Sequence, residues 1–197
     1  MKRVIDCALA ATALIILSPI LAIIALMVGM DGGPVIFAHP RVGRNGKLFR
    51  CYKFRTMFVG ASECFKEYLA LHPNLAIIWS RDWKLEFDPR ITDIGRVLRK
   101  TSLDELPQLF NVLCGDMSLV GPRPVTETEL VLYGDHADDY LSVRPGVTGL
   151  WQVSGRNRLS YEYRVALDSQ YVKTQSFWRD IIILCKTARI VFKGDGQ

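Results

Sequence analysis

The sequence is short of the residues that build most metal and hydrolase sites. It has three histidines, His39, His72 and His136, and they show no ligand spacing. They read as surface or core residues, and no Ser-His-Asp or Cys-His arrangement is visible. The five cysteines (Cys7, Cys51, Cys64, Cys114, Cys185) are odd in number and widely spaced, with no CxxC pair. That excludes a zinc ribbon and a disulfide framework, and points to reduced thiols in a cytosol-facing protein. Internal repeats and low-complexity runs are absent. Two further absences are local. Between Val4 and Met30 the only charge is Asp6, and between Gly32 and Ser62 there is no acidic residue at all.

What is present fits one domain of 197 residues, long enough for a real core. A net charge of +5 and a pI near 9.0 suggest a polyanionic partner: nucleic acid, anionic lipid or a phosphorylated substrate. The apolar run from Val4 to Met30 would make a helix about 40 Å long, enough to cross the ~30 Å hydrocarbon layer. Ser18-Pro19 lies near its middle, and a proline there removes a helical hydrogen bond and kinks the rod. Lys2 and Arg3 flank one end; Arg41, Arg44, Lys47, Arg50, Lys53 and Arg55 follow the other. With cations at both ends the positive-inside rule gives no direction. A helix that enters and returns, and a spanning helix with a proline kink, both stay open on these grounds.

The acid-free stretch reads as a hairpin. Val35-Ile36-Phe37 starts a strand, Asn45-Gly46 signals the turn, and Phe49 to Met57 alternates apolar and cationic residues. Its Lys/Arg face suits phosphates or anionic headgroups. Ser62 to Trp83 reads as an amphipathic helix broken at His72-Pro73, suited either to the headgroup plane or to core packing. Leu106, Leu109, Phe110 and Leu113 recur at helical spacing, with Gly115 as the stop. Met117 to Val120 is a short buried strand. Glu127 to Asp139 collects five acids and reads as a solvated helix and loop. The Gly-rich run Arg144 to Arg156 matches neither the P-loop nor the dinucleotide fingerprint, but offers close backbone approach to a diphosphate and an aromatic for stacking. Tyr161 to Val172 and a charged apolar segment from Phe177 are the last helices; the latter suits an interface or a core face.

The stretch Thr101 to Gln108 holds the adjacent carboxylates Asp104 and Glu105, with Arg99 and Lys100 just before them and Arg123 in the stiff run Gly121-Pro122-Arg123-Pro124. An ionised carboxylate ringed by fixed cations is a nucleophile toward phosphorus, or a ligand for Mg²⁺. A rigid backbone at Arg123 suits bidentate phosphate binding. The competing reading is structural: Ser102-x-x-Glu105 is also a capping box.

These blocks together resemble the bacterial sugar transferases, the monotopic polyprenyl-phosphate phosphoglycosyl transferases. The resemblance is carried by Ser18-Pro19, Lys53-Phe54-Arg55-Thr56-Met57, Ser102 to Leu109, Gly115 to Ser118, Val120 to Pro124, and Arg144 to Arg156. It is similar to the minimal catalytic form, without the extra N-terminal spans of large members, and nearest to enzymes that begin exopolysaccharide repeats. The implied fold is mixed α/β and mostly helical: a re-entrant membrane helix over residues 1–31 broken at Ser18-Pro19, then a small cytosolic domain over 32–197 with short strands and interfacial helices. The implied reaction moves a hexose-1-phosphate from a UDP-sugar to undecaprenyl phosphate at the cytoplasmic face of the bacterial inner membrane. UMP is released and a phosphosugar forms on Asp104. Glu105 would hold Mg²⁺, with Asp104 as a further ligand. Lys53, Arg55, Arg99 and Arg123 would bind phosphates, and Arg144, Gln152 and Arg156 the nucleotide. The sugar expected is galactose or glucose. Membrane lipids and, as an open option, a homodimer complete the partners; nucleic acid is not among them. A basic lipid-binding protein without chemistry, and a direct transferase without a covalent step, are the competing readings.

Overall fold

The fold is described from a computed structural model, which describes residues 1–82, 85, 87–155 and 159–193. It is mostly helical with two small sheets. The long helix α1 (Lys2–Gly29) comes first. A hairpin of β1 (Ile36–Val42) and β2 (Leu48–Phe54) follows, paired antiparallel from Ile36↔Phe54 to Val42↔Leu48. Its turn is made by Asn45 and Gly46, both at positive φ, as the Asn-Gly pair predicts. Then come α2 (Ala61–Leu71), α3 (Pro73–Asp82), α4 (Asp93–Thr101) and α5 (Gln108–Cys114). α2 and α3 are separated at His72-Pro73 as expected. Gly115, at φ 94°, ends α5 with its N–H on the Asn111 and Val112 carbonyls.

The second sheet is β3 (Ser118–Val120) beside β4 (Gly146–Thr148), parallel, with α6 (Glu127–Val131) and α7 (Ala137–Ser142) in the crossover between them. α8 (Leu150–Ser154), α9 (Tyr161–Thr174) and α10 (Phe177–Lys193) complete the chain. β4 was not expected, since its glycines read as a loop. Those glycines are needed where the two Gly-Pro segments meet backbone to backbone. A Cβ on Gly146 would sit 2.1 Å from the Gly121 nitrogen, and one on Gly149 2.2 Å from the Gly121 oxygen.

α1 is packed along the globular body rather than standing apart from it. Near its start Lys2 pairs with Asp180 at 2.5 Å, Arg3 donates to the Val112 and Leu113 carbonyls, and Asp6 accepts from Ser118 Oγ at 2.7 Å. Asp6, the one charge of the apolar run, is therefore buried against protein. Ala10 joins the central core with Val112, Met117 and Tyr171; Ile24 and Val28 join Phe54 and Leu98 in a second core. Just beyond the helix, Asp31 pairs with Arg55. The outer face carries Ile15, Ile16, Ile20, Ile23 and Leu26, all exposed.

The expected break at Ser18-Pro19 does not interrupt the helix, which is continuous from Lys2 to Gly29. The reason is local. Pro19 leaves the Ile15 carbonyl without its N–H partner, and the Ser18 hydroxyl donates to that same carbonyl at 2.8 Å. The acidic segment 127–139 is less solvated than its composition suggests. Tyr133 from it, and Tyr140 just after it, are buried with Val42, Val125 and Val165.

Candidate active site

The carboxylate pair lies in the first turn of a short 3₁₀ helix rather than an α-helix. Leu103–Glu105 is a single 3₁₀ turn, and Ser102 before it closes α4 in the left-handed region, φ 58°. No capping box forms there: Ser102 makes no side-chain cap, and the Glu105 carboxylate turns to Lys53 Nζ at 2.6 Å. The capping box of this chain lies at Thr126 and Glu129 instead.

Asp104 is 8 % exposed. Burial is the largest influence on it and raises its pKa from 3.8 to about 6. Lys53, 3.9 Å away, and Arg99 pull the other way, while Glu105 adds to the rise. The group is ionised at neutral pH yet strongly destabilised as an anion, a state suited to nucleophilic attack.

Lys53 reaches this pair because of strand parity. Phe49, Cys51 and Lys53 share one face of β2, and the last of them emerges at the site. Burial raises the neighbouring Cys51 thiol to about 11, so it stays protonated. Arg99 comes from the last turn of α4 and is fixed by donating Nε to Thr56 Oγ1 at 3.0 Å. Thr56 also accepts at its carbonyl from Thr92 N, and Gly95 of α4 lies flat on it: a Cβ there would sit 2.1 Å from the Thr56 oxygen.

Two clefts meet at Asp104 and share Arg41, Cys51, Lys53, Arg99 and Arg123. The first is polar, adding Glu105, Gln108, Trp151 and Gln152. The second, about 470 Å³, adds the apolar Phe37, Phe54, Met57 and Phe58. The Arg123 guanidinium stands 5.6 Å from the Trp151 ring centre, with Arg164 4.6 Å from the same ring. Behind them Asp168 is 2 % exposed and accepts from Tyr133 OH at 2.9 Å. Burial raises Asp168 to about 7, opposed by Tyr133, the Arg123 backbone N–H and the cations Arg123 and Arg164. Its Oδ1 makes no hydrogen bond of normal geometry.

Of the expected site residues, Lys53, Arg99, Asp104, Glu105, Arg123 and Gln152 come together. Arg55 borders the second cleft, but its guanidinium is committed to Asp31 and to the Pro34, Val28 and Met57 carbonyls. It ties the end of α1 to the hairpin. Arg144 does not border either cleft; its Nε donates to the Gly115 carbonyl at 2.7 Å. Arg156 lies outside the described residues. Thr56, Gln108 and Asp168 were not singled out from sequence, whereas Trp151 is the aromatic of the Gly-rich run and Arg41 one of the hairpin's cations. Gln108 is the one with a legible signal, being a polar residue on an apolar helix face beside the carboxylates.

The profile of the bacterial sugar transferases matches residues 1–194. The chain belongs to the bacterial sugar transferase family. It is 56 % identical over 196 residues to an undecaprenyl-phosphate galactose phosphotransferase of Salmonella typhimurium, covering 100 % of this chain and 41 % of that protein. A UDP-galactose-lipid carrier transferase of Erwinia amylovora is 54 % identical over 100 % of this chain and 41 % of its own length. The exopolysaccharide production protein ExoY of Rhizobium meliloti is 51 % identical, over 100 % of this chain and 87 % of that protein. The chain thus spans about two fifths of the Salmonella and Erwinia proteins it matches. In this sugar transferase Asp104 lines both clefts.

Proposed function

We propose that this sugar transferase moves a hexose-1-phosphate from a UDP-sugar to undecaprenyl phosphate, starting a surface polysaccharide such as an exopolysaccharide. The observation that carries the reading is the buried Asp104 between Lys53 and Arg99, at the junction of two clefts, one of which adds the apolar Phe37, Phe54, Met57 and Phe58. An Asp104 oxygen attacks the β-phosphorus of the UDP-sugar. The bond from that phosphorus to the bridging oxygen breaks, UMP leaves, and the sugar phosphate is held as an acyl phosphate on Asp104. A phosphate oxygen of undecaprenyl phosphate, entering by the apolar cleft, then attacks the same phosphorus and frees the carboxylate. Arg99 and Arg123 neutralise the charge on the phosphates, and Lys53 balances both carboxylates. Glu105 is positioned to take a proton from the acceptor phosphate.

A Mg²⁺ ion keeps several waters and takes one or two carboxylates plus substrate phosphates. An adjacent Asp-Glu pair suits that demand, and no cluster of three or more His, Cys, Asp or Glu forms among the described residues. Glu105 would hold it, with Asp104 as a further ligand, and when bound it supplies positive charge to the diphosphate.

For the membrane we infer a one-sided arrangement at the cytoplasmic face. α1 is the one helix among the described residues long and apolar enough to cross. Yet residues at both its ends bond to the same globular body, and crossing would drag that polar body into hydrocarbon. Its exposed Ile/Leu face supports burial in one leaflet. Galactose is the sugar we favour, from the Salmonella and Erwinia relatives. Release of UMP from UDP-galactose, dependent on undecaprenyl phosphate and Mg²⁺ and lost in Asp104→Asn, is the expected result. Full turnover by that variant would remove the nucleophile.

A further inference from the structure

Two hollows lie apart from the chemistry, sharing no lining residue with either cleft at Asp104. One is a trough of about 490 Å³ between α1 and α10, with Ile5, Leu9, Phe177, Ile181 and Leu184 in its walls. The other is a bay of about 240 Å³ that gathers Lys2, Arg3, Arg44 and Arg144. They join at Lys2, Asp6, Val120 and Gln175, which line both. An apolar channel therefore opens directly into a cationic one.

The charge in the bay is poorly compensated. Arg3 is held by the Val112 and Leu113 carbonyls, and Arg144 by the Gly115 carbonyl. Carbonyl oxygens position a guanidinium but leave its full charge in place. Arg44 is exposed, and its side chain has no ion-pair or hydrogen-bond partner among the described residues. Against these stand Asp6, already bonded to Ser118 Oγ, and Asp180, which takes Lys2. Three arginines thus face the bay without an acidic partner among the described residues.

We propose that this paired hollow is a binding site for an anionic membrane phospholipid, its headgroup phosphate among Arg3, Arg44 and Arg144 and an acyl chain in the trough. The flanks match a lipid boundary. α1 exposes its Ile/Leu face, and Phe177, Trp178 and Ile182 of α10 are exposed beside it. A phosphate on an apolar tail satisfies both hollows at once; a nucleotide would leave the trough empty. The acceptor lipid of the reaction is a poor fit, because neither hollow shares a lining residue with the clefts at Asp104.

The test uses the full chain in neutral detergent, without UDP-sugar, so that it stands apart from the proposed reaction. Equal amounts of phosphatidylglycerol and phosphatidylcholine are added, and bound lipid is counted by native mass spectrometry. One phosphatidylglycerol per chain is expected, preferred at least tenfold. Arg44→Glu, at a side chain with no bonding partner among the described residues, should lower its retention at least tenfold, as should Ile181→Trp, which fills the trough. Arg50→Glu makes the same charge change on an exposed residue of the same hairpin outside the bay, and should retain the lipid. Equal retention of the two lipids, equal loss in Arg50→Glu and Arg44→Glu, or preferential retention of added polyprenyl phosphate would each overturn the assignment.

Discussion

Replacing the nucleophile should make the protein more stable while it abolishes turnover. Asp104 is almost wholly buried, and burial outweighs Lys53 and Arg99 to raise its pKa from 3.8 to about 6. A carboxyl group whose folded pKa lies above its unfolded value favours the folded state at low pH. That advantage is fully present below about pH 4 and is lost as pH rises through about 6. At pH 8 the native state therefore bears the full cost of an ionised, desolvated Asp104. At about 1.4 kcal/mol per pKa unit, the cost is about 3 kcal/mol. Asparagine keeps the shape and removes the charge, so Asp104→Asn should recover most of it. For a chain of this size that is a Tm increase of about 6–12 °C. The assay is thermal unfolding of wild type and variant in one detergent at pH 8 and again at pH 4. The gap should be large at pH 8 and nearly closed at pH 4. A variant equal to or less stable than wild type at pH 8, or a gap independent of pH, would refute the reasoning.

Other expectations follow from the same geometry. Turnover should fall on the acid side with an apparent pKa near 6, because the attacking form of Asp104 is the anion; a rate flat from pH 5 to 8 under chemistry-limited conditions would contradict this. Thr56→Val removes the hydroxyl that fixes Arg99 Nε, and should lower kcat/KM by about tenfold (about 1.4 kcal/mol) with little change in Tm, read by UMP release. Gly149→Ala places a Cβ 2.2 Å from the Gly121 oxygen, so it should displace the Arg123 loop and cost both activity and stability, about 2 kcal/mol or more, in the same two assays. Asp31→Asn releases the Arg55 tie at the end of α1 and should speed limited proteolysis in the Met30–Pro34 link while leaving the carboxylate pair intact.

Much of this molecule was legible because its signals are local. Asn45-Gly46, His72-Pro73 and Gly115 mark a turn, a helix break and a helix stop, and each does so in the structure. Asp104 and Glu105 stood out as adjacent acids amid fixed cations. What failed depends on distant partners. Arg55 reads as part of a cationic strand face, but β2 ends at Phe54 and the next residue turns to Asp31. Arg144 sits in a Gly-rich run suited to a diphosphate, yet it serves the Gly115 turn. Ser18-Pro19 is the local exception: it reads as a break, but the serine hydroxyl occupies the carbonyl that the proline strands. Asp168 lies in the helix read over Tyr161 to Val172, where nothing in the sequence marks it as buried; only the packing of α9 shows it buried beneath Arg123 and Arg164. Thr56 is an ordinary strand-end threonine until α4 lands on it.

The account turns on a bond between Asp104 and phosphorus. Incubation with UDP-galactose and Mg²⁺ in the absence of acceptor, followed by acid quench, digestion and mass spectrometry, tests it most directly. A hexose-phosphate adduct on the peptide containing Asp104, absent from Asp104→Asn and discharged by undecaprenyl phosphate, is the expected result. An adduct on another residue, or product formed with none detected under trapping, would contradict it.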